Sequence, residues 1–287
     1  MYEAYYGLSS KPFSILPDPH FMYWGRSHTL AFAMLEYGAM NRAGFTVITG
    51  EIGSGKTTLI NHLLSKLGDD ITVGQMVNTR KNSGELLSWA LMAFDQPLSD
   101  ASYPILYKQF HDFVLEEASR GKRVLLIVDE AQNLGLETLE ELRMLLNINH
   151  KDKQLLQLIL VGQPQLKEQL RQPELTQFAQ RVSSDFHLKA LNRDEVLRYI
   201  GTRLFMAGRT EPLFTDNACA LIATISKGIP RIINILCDTA LIYAYSSDAP
   251  KVTLAIVKSV VSDKSEFGVF SVGDPADNRR RIRPVKT

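Results

Sequence analysis

The chain has 287 residues, 45% of them apolar and 22% charged, with a formal net charge of +1. That is the balance of a globular protein of one large or two modest domains. It excludes any argument from bulk charge for a nucleic-acid or membrane-surface partner, which would have to be met by a local patch.

Residues 1–27 are rich in aromatics (Tyr5, Tyr6, Phe13, Phe21, Tyr23, Trp24) and hold Pro12, Pro17 and Pro19. The prolines forbid a regular helix, and the aromatics predict a segment packed on the core domain. Nothing in Met1–Gly7 has the form of a signal peptide. From His28 to Asn41, Leu30, Ala33, Met34 and Tyr37 recur at helical spacing. Strands are predicted at 45–49, 71–77, 123–128, 155–161 and 184–188. Helices are predicted at 56–67, 83–94, 103–120 and 136–148, with a short helical region at 165–179. Strands that are near-continuous apolar runs, alternating with helices, predict a parallel five-stranded sheet covered on both faces. Residues 28–190 form this α/β domain. From 191 to 263 the pattern is helical only, with Asn192, Thr215 and Thr253 as N-caps, which predicts a small all-α domain. Residues 264–287 end in the basic run Asn278–Lys286, read as a solvated disordered tail; acidic lipid, nucleic acid and a partner protein are the alternatives. Cys219 and Cys237 lie in apolar helical patterns and read as buried filler in a reducing compartment. The longest apolar runs, such as Val124–Val128, are far short of a membrane span. The expected location is the cytoplasm, with peripheral docking at the inner membrane as an option.

The strand at 45–49 runs into Gly50-Glu51-Ile52-Gly53-Ser54-Gly55-Lys56-Thr57, which matches G-x-x-x-x-G-K-[ST] without mismatch and is followed by Thr58 and a helix. In this strand–loop–helix setting the motif is a phosphate cradle, the P-loop. The glycines let backbone N–H groups face the phosphates, and the helix aims its positive dipole end at them. Lys56 can reach the β- and γ-phosphates and Thr57 can ligate Mg²⁺. The strand Val124–Val128 ends in Asp129 and Glu130, a Walker B pair. Asp129 is the expected Mg²⁺ ligand and Glu130 the group that polarises the attacking water. Gln163, at the end of the fourth strand, is the candidate for positioning that water or sensing the γ-phosphate; its alternative is a turn cap before Pro164. Asn78, ending the second strand, is the candidate for holding Glu130 in an inactive pose. Arg181 and Arg231 are candidates for stabilising charge on the migrating phosphoryl group, against surface ion pairs as the alternative.

Taken together, the chain resembles the AAA+ ATPases, and within them the ExeA-like (general secretion pathway protein A) branch with its exosortase-associated and pilus-biogenesis relatives. The residues behind this are Met1-Tyr-Glu-Ala-Tyr-Tyr-Gly-Leu8, Lys11-Pro-Phe13, Leu16-Pro-Asp-Pro19, Gly44–Thr58, Asp129-Glu-Ala-Gln132, Gly162-Gln-Pro164, Gln180-Arg181 and Gly228–Leu241. The resemblance covers about residues 1–262. It implies ATP rather than GTP, Gln163 at sensor 1, Arg181 as a finger offered to a neighbouring subunit, and Arg231 at sensor 2 in an AAA+ lid. It implies nucleotide between core and lid, a homo-oligomer, and Pro17-Asp-Pro19 near the adenine, with Phe21 and Tyr23 as stacking candidates. The secretion members carry a membrane span and a peptidoglycan-binding domain after the ATPase. Here a short basic tail follows residue 262, so the expected role is a switch or motor for an envelope export, polysaccharide or pilus assembly system rather than direct action at the cell wall. The alternative is a DNA-associated AAA+ regulator of the transposition-helper type.

Overall fold

The computed structural model describes residues 1–16, 18–40, 44–77, 85–98, 101–150 and 153–267. The chain opens with a one-turn helix α1 (Tyr2–Tyr5), placed ahead of the first proline. The α/β unit follows: α2 (Arg26–Met40), β1 (Phe45–Gly50), α3 (Lys56–Leu64), β2 (Ile71–Met76), α4 (Leu86–Ala93), α5 (Tyr103–Ser119), β3 (Arg123–Val128), α6 (Leu136–Leu145), β4 (Asn149–His150), β5 (Lys153–Gln154), β6 (Leu156–Gly162), α7 (Pro164–Leu170), α8 (Thr176–Ala179) and β7 (Ser184–Leu188). Four helices complete it: α9 (Arg193–Met206), α10 (Asp216–Ser226), α11 (Pro230–Ser246) and α12 (Leu254–Phe267). By their contacts these fall into two units. One is Arg26–Glu51 with Lys56–Leu188. The other is Met1–Gly25 and Ile52–Gly55 with the chain from Lys189 onward.

The sheet of the α/β unit is parallel, in the order β2-β3-β6-β1-β7. Every residue of β1 and β6 is buried, as is β3 after Arg123, whereas β2 and β7 mix buried with partly or fully exposed positions. Central strands of a sheet covered on both faces have no solvent side, so their sequences are apolar runs. Edge strands keep polar positions. The order places β6 between β1 and β3, with Thr49 opposite Gly162 and Val128 opposite Leu160. The C-terminal ends of the three strands therefore meet at one edge, where open α/β sheets hold their ligands. An antiparallel pair, Asn149 with Gln154 and His150 with Lys153, precedes β6 and has no counterpart among the predicted elements.

Two expectations are corrected here. The apolar face of α2 was expected at Leu30, Ala33, Met34 and Tyr37, but the helix buries His28, Ala31, Phe32, Leu35, Gly38 and Ala39, leaving Leu30 50% and Tyr37 63% exposed. Both stripes have helical spacing, and packing decides between them, with the Phe32 ring set against His62 of α3 at 5.0 Å. The N-terminal segment was expected on the α/β core. Tyr2, Tyr6, Leu8 and Phe13 instead join the core of the helical unit, with Leu204, Phe214 and Leu236 among its members. The physical reason is a set of paired polar groups as well as apolar area. Arg203, 6% exposed, donates from Nε to Pro12 O (2.5 Å), and from its terminal nitrogens to Phe21 O (3.1 Å) and Ser14 O (3.4 Å). Asn234 Nδ2 donates to Ser14 O at 3.0 Å, and Asn234 Oδ1 accepts from the Tyr199 hydroxyl at 2.8 Å. Non-helical backbone can be buried only when its carbonyls are satisfied in this way. The rings of Phe21 and Tyr23 are engaged here too, Phe21 beneath the Arg203 guanidinium (4.8 Å) and Tyr23 edge-on to Tyr199 (5.7 Å).

Within the helical unit α9 starts in a capping box: Asn192 and Glu195 exchange backbone N–H bonds at 2.9 Å each way. Thr215 caps α10, accepting from Ala218 N–H at 3.4 Å. Cys219 and Cys237 are buried free thiols, and burial pushes Cys219 up to about 11. No helix among the described residues is long and apolar enough to cross a membrane.

The turn between α10 and α11 depends on Gly228. Its φ is 74°, and a Cβ there would run into the carbonyl of Leu191, whose own N–H donates to Gly228 O at 2.9 Å. Gly228→Ala adds left-handed strain to a backbone clash. It is expected to lower stability by about 2 kcal/mol or more. A urea titration checks this, and an unchanged midpoint would show that the turn adapts freely.

Candidate nucleotide site

The P-loop begins where β1 ends. Its turn is possible because Gly53 and Gly55 take φ of 78° and 99°, which a residue with a Cβ rarely adopts. Lys56 opens α3, and its ammonium donates to two carbonyls of the loop, Gly50 O (2.8 Å) and Glu51 O (2.9 Å). Burial, the largest influence, pulls the Lys56 pKa below the ordinary lysine value, while Asp129, Glu51 and Glu130 act in the opposite sense. The next side chain, Thr57, donates its hydroxyl to Asp129 Oδ2 at 3.1 Å. Residues 72 positions apart are thus brought into hydrogen-bond contact by the strand order.

Asp129 is 7% exposed, and its backbone N–H continues the sheet by donating to Met76 O at 2.9 Å. Its second carboxylate oxygen, Oδ1, accepts from the Glu130 N–H at 2.8 Å. Glu130 is exposed and lies in the left-handed region, φ 55° and ψ 33°. That conformation breaks the strand's alternation, so adjacent carboxylates can take separate positions at one edge. Non-glycine residues in this region cost about 1–3 kcal/mol and gather at functional sites. β2, which ends at Met76, pairs with β3, and Asn78 lies outside the described residues.

Gln163 follows β6 and precedes α7, between the ends of β1 and β3. Its backbone N–H donates to Gln132 Oε1 at 2.9 Å. Arg181 is not brought to this edge. Ser183 N–H donates to Phe45 O at 2.8 Å, so Arg181 lies beside the start of β1, not its end. The length of the strand, roughly 16 Å at 3.3 Å per residue, separates it from its own P-loop. The side chain is exposed, held out by Phe178, which is fully buried and stacked on Phe45 at 4.4 Å. Arg231, also exposed, stands in the first turn of α11. Within the helical unit, which takes in Ile52–Gly55, its backbone N–H donates to Gly53 O at 3.1 Å, and a Cβ on Gly53 would collide with that of Arg231.

Two contacts at this edge were not anticipated as part of the site. Gln132 was legible only as the fourth residue of Asp129-Glu-Ala-Gln132. His187 stands opposite Thr49 on the neighbouring strand, with Nδ1 3.0 Å from the Thr49 hydroxyl; no local motif marks it.

The residues present fit a magnesium nucleotide. A hydroxyl and a carboxylate 3.1 Å apart offer the hard oxygen donors that Mg²⁺ takes alongside substrate phosphates, and an ammonium stands on the adjacent residue.

The AAA domain family matches residues 39–170. A relative from Aeromonas hydrophila described as General secretion pathway protein A is 40% identical over 277 residues, which is 95% of this chain and 51% of the relative. The chain thus spans about half the length of that relative. Among solved structures, the ORC2 protein of Aeropyrum pernix in ADPNP–ADP complexes superposes with a TM-score of 0.66 at 19% identity, covering 89% of this chain and 72% of that one. Cdc6p from Pyrobaculum aerophilum gives 0.67 at 14% identity, covering 86% and 71%. The RuvB branch migration motor of Thermotoga maritima gives 0.55 at 18% identity, covering 89% and 74%. At such identities these likenesses speak to the fold alone. With its P-loop, its Walker B carboxylates and the β2-β3-β6-β1-β7 sheet, the chain carries the AAA domain of a P-loop ATPase over residues 39–170 and is similar over 95% of its length to General secretion pathway protein A.

Proposed function

We propose that this chain binds ATP with Mg²⁺ at the edge formed by β1, β3 and β6, hydrolyses it, and acts as an oligomeric switch or motor for an envelope export or assembly system. The observation that carries the reading is the bond from Thr57 to Asp129, which joins the phosphate loop to the Walker B strand beside Lys56 and Glu130. Thr57 and Asp129 would hold the metal, which when bound neutralises charge on the phosphate oxygens. The backbone of Gly50–Thr58 and the Lys56 ammonium bind and orient the phosphate tail. Glu130, exposed at the edge, accepts the proton of the attacking water. Gln163 fixes that water's direction. Arg231 contacts the phosphates from the helical unit in the manner of a sensor. Arg181 serves a neighbouring subunit, a role supported by its place at the opposite end of β1 from its own P-loop. Export is favoured as the setting because the 40% identical relative carries that name; the protein acted on would be a component of such an apparatus.

The test is direct. Purified protein with Mg²⁺ and ATP is expected to give a binding heat in calorimetry and to release phosphate catalytically, at a rate within the ordinary enzyme range of about 1–10³ s⁻¹ or, for a switch awaiting its partner, below it. Absence of both binding heat and phosphate release would refute the reading.

A further inference from the structure

We infer that Gln132 is a positioning residue that ties the Glu130 turn to Gln163, so that the water-activating carboxylate and the residue facing it across the strand ends move as one. This rests on the proposed hydrolysis.

Glu130 leaves β3 in a left-handed conformation and is followed by a single tight turn, in which Asn133 N–H donates to Glu130 O (2.9 Å) and Leu134 N–H to Ala131 O (3.1 Å). A turn of three residues does not by itself orient a carboxylate against a neighbouring strand. Gln132, at its centre, is gripped by the α7 segment in two ways. Its side-chain Oε1 accepts the Gln163 backbone N–H at 2.9 Å, and its carbonyl accepts from Gln169 Nε2 at 3.1 Å. The first bond has its own logic. Gln163 is the residue before the first turn of α7, with an extended backbone (φ −79°, ψ 169°) and no capping bond from its own side chain. Its N–H lies beyond the sheet and outside the helix, and Gln132 supplies the acceptor that neither provides. The neighbouring residue is shaped to admit the amide: a Cβ on Gly162 would stand 3.1 Å from Gln132 Oε1 and 2.7 Å from Leu166 Cδ2. A displacement of Gln163 is thus transmitted through its bond to Gln132 to the turn that carries Glu130, which Gln169 holds from the same segment.

Gln132→Met keeps the length and volume of the side chain and removes the acceptor. The expected result in steady-state ATP hydrolysis is a kcat lowered about tenfold with KM for ATP within about twofold, since the groups that bind nucleotide are untouched. The thermal midpoint of the variant, read beside it, should stay close to that of the wild type. Amide exchange supplies a readout that needs no turnover: Gln132→Met should speed exchange at the Gln163 N–H. Wild-type kcat in Gln132→Met, or unchanged protection at Gln163, overturns the inference. A wild-type chain without turnover sinks instead the hydrolysis reading, and exchange at Gln163 still decides whether the tie exists.

Discussion

Glu130→Gln is expected to keep nucleotide bound and to slow phosphate release by about 10²–10⁴-fold, the usual contribution of a positioned general base. The substitution is nearly isosteric. It leaves the Glu130 N–H that donates to Asp129 Oδ1 at 2.8 Å, and the left-handed backbone at φ 55° is no worse for glutamine than for glutamate. What disappears is a negative oxygen able to take a proton. The carboxylate of Asp129 is engaged elsewhere, Oδ2 accepting from Thr57 and Oδ1 from the Glu130 backbone. Calorimetry with ATP and a single-turnover phosphate assay separate the two effects. Turnover equal to wild type would remove Glu130 from the proposed role, and loss of binding would indicate that the turn itself had moved.

Lys56→Ala is expected to act on the other half of the reaction, weakening ATP binding by about 100-fold or more. Hydrogen bonds to charged groups contribute about 1.5–3 kcal/mol each, and the ammonium can reach two phosphates. A second effect adds to the first. Lys56 spans the loop it follows, bonding Gly50 O and Glu51 O at 2.8 and 2.9 Å, so its removal also unpins the cradle. The lysine is held in a site where burial, above all, works against its charge. A group kept charged against desolvation is one whose charge gains most from an anionic ligand. Titration calorimetry of the variant decides the matter, with near-normal ATP affinity as the contrary result.

Much of the site was legible before any coordinates. Gly50–Thr57 and Asp129-Glu130 are each short runs whose chemistry depends on neighbours in the chain: glycines that free the backbone, a lysine and threonine at the next positions, an apolar strand ending in acids. Local rules also identified the sheet's strands, because a parallel sheet buried on both faces writes itself as apolar runs such as Val124–Val128. The N-cap at Asn192 was readable for the same reason, since a cap bonds to residues two or three positions away.

Other features had no local signature. The periodicity of α2 admits two apolar stripes, and only the packing chose Phe32 and Leu35 over Leu30 and Tyr37. The aromatics of residues 1–27 predict packing on the α/β core; the buried guanidinium of Arg203, some 190 residues away, meets the carbonyls of Pro12 and Ser14 and decides for the helical unit. Sequence spacing said nothing of the end of β1 at which Arg181 stands, nor that Gln132 meets Gln163.

The amino-acid sequence by itself therefore determined the element types, the phosphate loop and the acidic strand end, because each is set by backbone conformation and by side chains within a turn or two. The tertiary structure alone decided which strand ends share an edge, what the N-terminal segment covers, and which glutamine bridges the two halves of the site. Those are contacts between distant parts of the chain, chosen by how completely apolar surface can be buried while every buried N–H and C=O still finds a partner.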